Sequence, residues 1–365
     1  MTKAAELAKM GEVLGNSQIG RKNIVINGAM QVGQRSTSET GKGDADGYFT
    51  LDRYDMTHGA TSAGRYTMSQ SAVTDLEAFS NALKIDCTTA DTSIAAGEFL
   101  LLHQDFEGQD VQQMKKGTSE AEKVTVSFYV KGNASATYVV ELFDNDNDRS
   151  VSQSFSVTTS WNRVILTFPA DTTGTFDDDN ASSLRMFFWL HAGSTYSGGS
   201  LGTTWHTTAA NRAAGISSFF DSTDREFFLT GLQMELGSQA TPFEHRSFGE
   251  ELALCQRYFY QAVNGTAQAF GMGTYYASNL ITMVLDFPTT MRAAPSVTVG
   301  TGTNYYVGYG NGQGDSFDTW DNVQRGGLNY IALDVTGDGA DGTAGHGVAL
   351  ATQNASAFIN VDAEL

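Results

Sequence analysis

The hydrophobic positions of this chain fall mostly into short alternating runs. Val124, Val126, Phe128 and Val130 alternate with Thr125, Ser127 and Tyr129, and Phe228, Gly231 and Gln233 stand against Leu229, Leu232 and Met234. A period of two sends successive side chains to opposite faces of a strand, so each run predicts a strand with one face in a core. The same signal predicts strands over 82–87, 98–107, 124–131, 137–143, 163–168, 185–191 and 226–235. Asn23 to Gln34 reads as an opening strand broken at Asn27-Gly28, the stretch 48–54 begins the next element, and 348–365 closes the pattern. Many short strands separated by turn residues predict an all-β sandwich.

Two segments carry a helical period instead. Residues 3–14 place Leu7, Met10 and Leu14 at three- and four-residue spacing before Gly15-Asn16. A helix that short is marginal alone and needs a partner, either its own domain, copies of itself or a larger particle. Residues 247–262 open on a capping box, Ser247 with Glu250, and carry Phe248, Leu252, Cys255, Phe259 and Ala262 at four-three-four-three spacing. That stripe suits packing within the chain or a seam between copies equally well.

Composition agrees with strands: 39 Gly against 4 Pro, and 365 residues give room for two domains. The balance of 22 basic and 41 acidic residues, net −19, sets the chain against nucleic acid and anionic lipid, both of which want clustered Lys and Arg. No apolar run approaches the roughly 18 residues of a membrane span, and the N-terminus lacks the apolar core of a signal peptide. Synthesis in a cytoplasm without general secretion or membrane insertion is therefore expected. Cys87 and Cys255, far apart, read as buried free thiols.

Candidate chemistry is sparse. Asp144, Asp146 and Asp148 alternate as in the first half of a Ca²⁺ loop, but no Gly follows at the sixth position and Phe155 stands where the closing Glu belongs. The competing reading is a solvated hairpin tip, so Ca²⁺ is a weak candidate and no other cofactor is expected. Asp177–Asp179 and the Asp338/Asp341 loop are weaker still. No nucleophile elbow, zinc or phosphate-loop motif is present, and the six histidines, His206 and His245 among them, show no ligand spacing. The expectation is no enzyme activity. Aromatic rings are natural sugar platforms. Tyr196 and Trp205 lie in an irregular Gly/Ser/Thr stretch, and Trp320 with Tyr305, Tyr306 and Tyr309 forms a second set. For both sets the alternative is loop or subunit packing. Trp161, Trp189 and Phe187 sit inside strand patterns and read as core.

The wording of several segments adds to this. GLQMELGSQATPFE (231–244) resembles the closing strand of carbohydrate-binding-module-like jelly rolls found in bacteriophage virion proteins. HRSFGEELALCQRYFY resembles the phage version, in which a helix leaves the sandwich toward another β domain. NIVINGAMQVGQR, VTVSFYVKG and SWNRVILTFPA are similar to other parts of that family, which often carries Trp where this chain has Tyr54. The likeness spans residues 23–262, and LDFPTTMRAAPSVTV is similar to C-terminal β regions of such proteins.

The resemblance implies an N-terminal helical anchor over 1–22, a jelly roll over 23–246, a linker helix over 247–262 and a smaller C-terminal β domain over 263–365. It implies a non-enzymatic virion structural protein, a trimeric tail fibre, spike or appendage that contacts host glycans. On that reading Leu7, Met10 and Leu14 dock the chain on other virion proteins, and Phe248, Leu252, Cys255 and Phe259 form the seam of the homotrimer. The alternatives are a capsid decoration, head-fibre or baseplate protein with a purely structural jelly roll and, third, a glycan-degrading depolymerase.

Overall fold

The computed structural model describes residues 21–59, 62–310 and 312–365 and, near the N-terminus, Lys3 alone. Leu7, Met10 and Leu14 lie outside the described residues. The chain divides into two compact units, Met1–Ser247 and Phe248–Leu365.

The first unit is a jelly-roll sandwich of two antiparallel sheets. One has six strands in the order β1 (Ser38–Lys42), β3 (Arg65–Ala72), β4 (Asn81–Thr89), β11 (Glu226–Leu236), β6 (Val124–Gly132) and β9 (Asn162–Phe168). The other has five: β2 (Asp55–Gly59), β5 (Phe99–Glu107), β10 (Ser182–Ala192), β7 (Ala136–Asp144) and β8 (Arg149–Val157). The all-β expectation is met, and the seven predicted strands are all present. Val124, Val126, Phe128 and Val130 of β6 face Leu100, Leu102, Val140, Leu142, Met186 and Phe188 of the opposite sheet in one buried core. Alternation puts these side chains there, and their burial holds the layers together at about 25 cal/mol per Å² of apolar surface.

Two N-terminal expectations change. Asn23 to Gln34 forms no strand. Asn27 adopts a left-handed φ of 59°, and its side chain accepts from the amides of Gln31 and Val32 while donating to the carbonyls of Val32 and Asp52. The neighbouring Gly28 is required, since a Cβ there would meet the carbonyl oxygen of Leu232 at 2.1 Å. Residues 48–54 are likewise not a strand. Tyr54 is a buried anchor ahead of β2.

The second unit is also all-β, with a three-stranded sheet, β12 (Phe259–Asn264), β21 (Phe358–Asp362) and β15 (Ser296–Val299). Its seven-stranded sheet runs β17 (Gln313–Phe317), β16 (Tyr306–Gly310), β20 (Gly347–Thr352), β13 (Ala269–Ala277), β14 (Leu280–Asp286), β19 (Tyr330–Thr336) and β18 (Asn322–Gly326). Helix α1 (Phe248–Gln256) opens this unit. It is shorter than the 247–262 expectation. The amide of Tyr258 turns back to the carbonyl of Cys255, and Phe259 and Ala262 belong to β12, paired to β21. The four-residue seam is therefore corrected: Phe259 is a buried strand residue, Cys255 is buried, Leu252 is half-buried and Phe248 is 55% exposed. Strand pairing overrides the helical spacing, because alternation also fits Phe259 and Val263. Cys87 and Cys255 are buried free thiols, and burial pushes the Cys87 thiol up to about 11. No described helix is long and apolar enough to cross a membrane.

Candidate functional site

The outer face of the five-stranded sheet gathers the densest chemistry of the first unit. On β5, Leu100, Leu102 and Phe106 point into the core, so Leu101, His103 and Asp105 point outward. On β10 and β7 the same parity turns Arg185, Phe187 and Trp189, with Val139, Glu141 and Phe143, to this face. Register then aligns them in rows. Asp55, His103, Phe187, Glu141 and Ser152 lie across the five strands, and the next row carries Trp189 between Leu101 and Val139. An aromatic floor flanked by carboxylates is the chemistry of a sugar platform.

The floor is covered. The segment 193–218, which follows β10, folds back as a strap over it. Its Ala213 amide donates to the carbonyl of Tyr196, the amides of Ser150 and Ser152 donate to the carbonyls of His206 and Gly202, and the amide of Ser217 donates to the carbonyl of Thr137. The bonds from Ser150 and Ser152 also occupy the free edge of β8. From the strap, Arg212 donates through Nε and Nη2 to Glu141 at 2.7 and 3.0 Å. Its guanidinium lies 4.8 Å from the Phe143 ring centroid, 5.1 Å from Trp189 and 5.9 Å from Tyr196. The Trp189 indole N–H donates at 2.6 Å to Glu141 Oε2, the oxygen that also accepts from Arg212 Nη2. Glu141 is wholly enclosed, and Trp189 is 1% exposed.

Beside this lies a charged cluster. His103 Nδ1 is 2.8 Å from Asp105, its Nε2 is 2.8 Å from the Thr57 hydroxyl, and Asp55 is 3.4 Å away. Arg185 Nε approaches Asp105 at 3.1 Å, and Arg53 donates to the Asp105 carbonyl at 2.7 Å. Burial pushes the imidazole down, but Asp105 and Asp55 outweigh it and raise His103 to about 9. Burial likewise pushes the Asp105 carboxyl up, and His103, Arg185 and Arg53 outweigh that and hold it low. The cluster is an ion network in which His103 lies between Asp105 and Asp55, with Arg185 on Asp105. The Asp52 carboxyl is raised by burial, but it is fully enclosed and accepts from Gln34.

The predicted site residues fare unequally. Tyr196 is half-buried within the strap, edge-on to Phe99 at 5.2 Å and beside Trp189 at 5.3 Å. Trp205 packs on the core, donates to the Pro169 carbonyl at 2.8 Å and carries the Lys116 ammonium 5.2 Å from its ring. Tyr305 is half-buried. Tyr306 and Trp320 are corrected from platform to core. Tyr306 is fully buried with its hydroxyl donating to the Phe358 carbonyl at 2.8 Å, and Trp320 packs edge-on to Phe317 at 5.0 Å. Trp161 is corrected the other way. It is half-exposed, donates to Asp75 at 2.8 Å and lies under Lys131.

The Ca²⁺ candidate is also corrected. Asp144 is fully buried, is ion-paired to Lys116, and accepts from the amides of Asp146 and Asn147 at 3.1 and 3.0 Å. Asp146 accepts from the Asp177 amide at 3.0 Å, and Asp148 sits at the hairpin tip with φ 51°. Asp144 thus serves a turn and an ion pair, and Asp146 accepts from a different segment. Among the described residues no group of three His, Cys, Asp or Glu is placed to hold a metal.

Arg212, Glu141 and His103 escape the sequence reading. The signal for two of them is present: Glu141 interrupts YVVELF, and His103 interrupts LLLHQDF, each a charge inside an apolar run. Arg212 has no such mark.

No family model and no curated protein matches this chain. Among solved structures it is similar to the enzymatically active domain of bacteriophage CBA120 tailspike protein 4, at 12% identity and TM-score 0.30, over 59% of this chain and 21% of that one. The match thus spans about one fifth of the tailspike domain. A family 61 carbohydrate-binding module in complex with β-1,4-galactotriose is similar at 9% identity and TM-score 0.30, over 59% of this chain and 99% of that one. A family 30 carbohydrate-binding module matches at 10% identity and TM-score 0.30, over 61% and 97%.

Proposed function

We propose that this chain is a non-enzymatic structural subunit of a tailed-phage virion, a fibre, spike or appendage that meets the host surface. The observation that carries the reading is the strap. The outer face of the five-stranded sheet, with its aromatic floor and carboxylates, is filled by the chain's own Arg212 and Tyr196, so that face offers no open cleft in which a substrate could meet a catalytic pair. The carboxylates there serve as ion-pair partners. Contact with glycan then falls to half-exposed rings outside the strap, such as Trp161 with Lys131 and Asp75 beside it. Many weak contacts on one particle would suffice for attachment.

The same cover favours a second reading, a capsid decoration or baseplate protein whose jelly roll is structural only. One experiment separates them. Antibodies against the full chain are applied to purified particles in the electron microscope, and the chain is run on a host-glycan array. Label on tail tips with array binding supports the first reading; label on heads or baseplates without binding supports the second. Particles bearing no label overturn both. Release of reducing ends from host polysaccharide would overturn the non-enzymatic assignment.

A further inference from the structure

The strap is fastened at both ends to one buried cluster. At its start the Gly193 amide donates to the Glu98 carbonyl at 2.7 Å, and the Thr195 amide donates to the Ala96 carbonyl at 2.9 Å. The pass is close enough that a Cβ on Gly193 would meet the Ala95 carbonyl oxygen at 2.1 Å. At its end the Ser218 hydroxyl lies 2.8 Å from His191 Nδ1 and accepts from the Phe220 amide at 3.1 Å. His191 is fully enclosed, with buried Glu98 and Asp91 facing it and the Phe220 ring 5.3 Å away. Its Nε2 stands 3.5 Å from Glu98 Oε2, and among the described residues neither atom has a hydrogen-bond partner.

A second histidine sits within the strap. The His206 amide and carbonyl pair with Ser150 of β8 at 2.8 Å each. Its Nδ1 accepts from the Thr208 amide at 3.1 Å, and its Nε2 is buried without a partner among the described residues.

We infer that His191 and His206 are proton-operated latches, and that acid lifts the strap from the aromatic floor of Phe143, Phe187 and Trp189. Such a switch would act in any particle that carries the chain, so it stands apart from the virion reading. Hydrogen-bond roles come first. A ring nitrogen that accepts an amide hydrogen must be unprotonated, so a proton added at His206 Nδ1 breaks the bond to Thr208. At His191 the Ser218 oxygen already accepts from Phe220, and its one hydrogen is free to donate to a neutral Nδ1. A charged ring puts a second hydrogen into that contact, and the hydroxyl must turn away.

Electrostatics act in the same direction. Burial pushes both imidazoles below the ordinary value of 6.5. At His191 it outweighs the attraction of Glu98 and Asp91 for the proton. At His206 the Arg212 and Arg149 guanidiniums add to it, and Glu141 opposes. Lowered values hold the latches closed above about 6.5 and release them as pH falls further. His103, on the same face but outside the strap, is already charged at neutral pH and adds nothing in this range.

The test is hydrogen exchange of the full chain, read by mass spectrometry at pH 7.5 and pH 5 and corrected for the intrinsic rate of each amide. Amides of the strap should lose protection at least tenfold at pH 5, while those of β6 and β11 keep theirs. With His191→Gln and His206→Gln together, the strap should be equally protected at both pH values. His191 is fully buried, so circular dichroism at pH 7.5 checks that this variant folds. His206→Gln alone, at the half-buried ring, should remove part of the response. A parent strap equally protected at both pH values overturns the latch. So does a parent in which β6 and β11 open together with the strap, which is global acid unfolding. A folded double variant that still loses protection at pH 5 would move the sensor to Glu141, and an undiminished response in His206→Gln would remove that latch.

Discussion

Arg212 and Glu141, 71 residues apart in sequence, meet through two parallel hydrogen bonds over an aromatic floor. The pair is what turns an irregular segment into a fixed cover. A planar guanidinium matches a carboxylate in two places and packs on rings with its faces, which an ammonium cannot do. Glu141 is wholly buried, so the pair's value is asymmetric. Its formation gains little over an apolar pair, but removal of one partner strands a charge.

Arg212→Ala should therefore cost about 3–5 kcal/mol of stability in the first unit, read as a lower urea midpoint. The strap should also become cleavable between residues 193 and 218 under limited proteolysis. Arg212→Ala combined with Glu141→Gln should regain part of the loss, because no charge is left buried. A single variant as stable and as protease-resistant as the parent would mean that the strap is held by its backbone bonds alone.

His103 gives the first unit a pH dependence above neutrality. Its pKa of about 9 in the folded chain stands above the roughly 6.5 of an unfolded histidine. A raised value contributes stability that is fully present below about 6.5 and is lost as pH rises through 9. His58, His191 and His206 are pushed down by burial and act in the opposite sense, below about 6.5. Stability should thus fall between pH 6.5 and 9, and His103→Gln should flatten that slope while lowering stability at pH 6. Urea midpoints at pH 6, 7.5 and 9 check this. A parent chain equally stable at all three would contradict the charged imidazole.

Legibility in the sequence followed the physics of each segment. Strands β6 and β11 were readable because one face meets the core and the other is more polar, which writes a period of two. Strands β1 and β2, SETGK and DMTHG, are edge strands with few apolar residues and left no such trace. The strap has no period at all, being held by backbone bonds, the Arg212 ion pair and scattered anchors such as Trp205 on the Pro169 carbonyl. Phe259 satisfied both the helical and the alternating spacing, and only its pairing with β21 decides between them. Trp320 and Tyr306 looked like platform residues because they lie among glycines and polar residues, whereas their rings close a core drawn from distant strands.

That last correction sets apart two kinds of tyrosine and tryptophan in the second unit. Trp320→Ala should cost about 3–5 kcal/mol, the usual toll of emptying a large core site. Tyr309→Ala, on an exposed face, should shift unfolding by no more than about 0.5 kcal/mol. Thermal melts of the two variants check the contrast. Equal losses would mean that Tyr309 is packed as firmly as Trp320, and equal indifference would remove Trp320 from the core.

The Asp144 turn makes the last case, because its carboxylate could serve an ion or a lysine but not both. Lys116 is itself buried, reaches Asp171 at 3.2 Å and donates to the carbonyls of Thr173 and Gly174 at 2.8 and 2.9 Å. Arg149 Nε donates to the same Asp171 oxygen at 2.8 Å, and its Nη2 donates to the other at 3.2 Å. An ammonium already supplies the positive charge that a cation would bring, and its donors fill the acceptor sites that a cation would need. Millimolar Ca²⁺ or a chelator should therefore leave the melting temperature of the parent unchanged. Lys116→Met should lower stability by about 3–5 kcal/mol by stranding the buried Asp144 carboxylate, while Asp171 keeps Arg149. In that variant alone, Ca²⁺ should recover part of the loss. A parent whose melting temperature climbs with Ca²⁺ would show that the ion displaces the lysine and would restore the loop as a metal site.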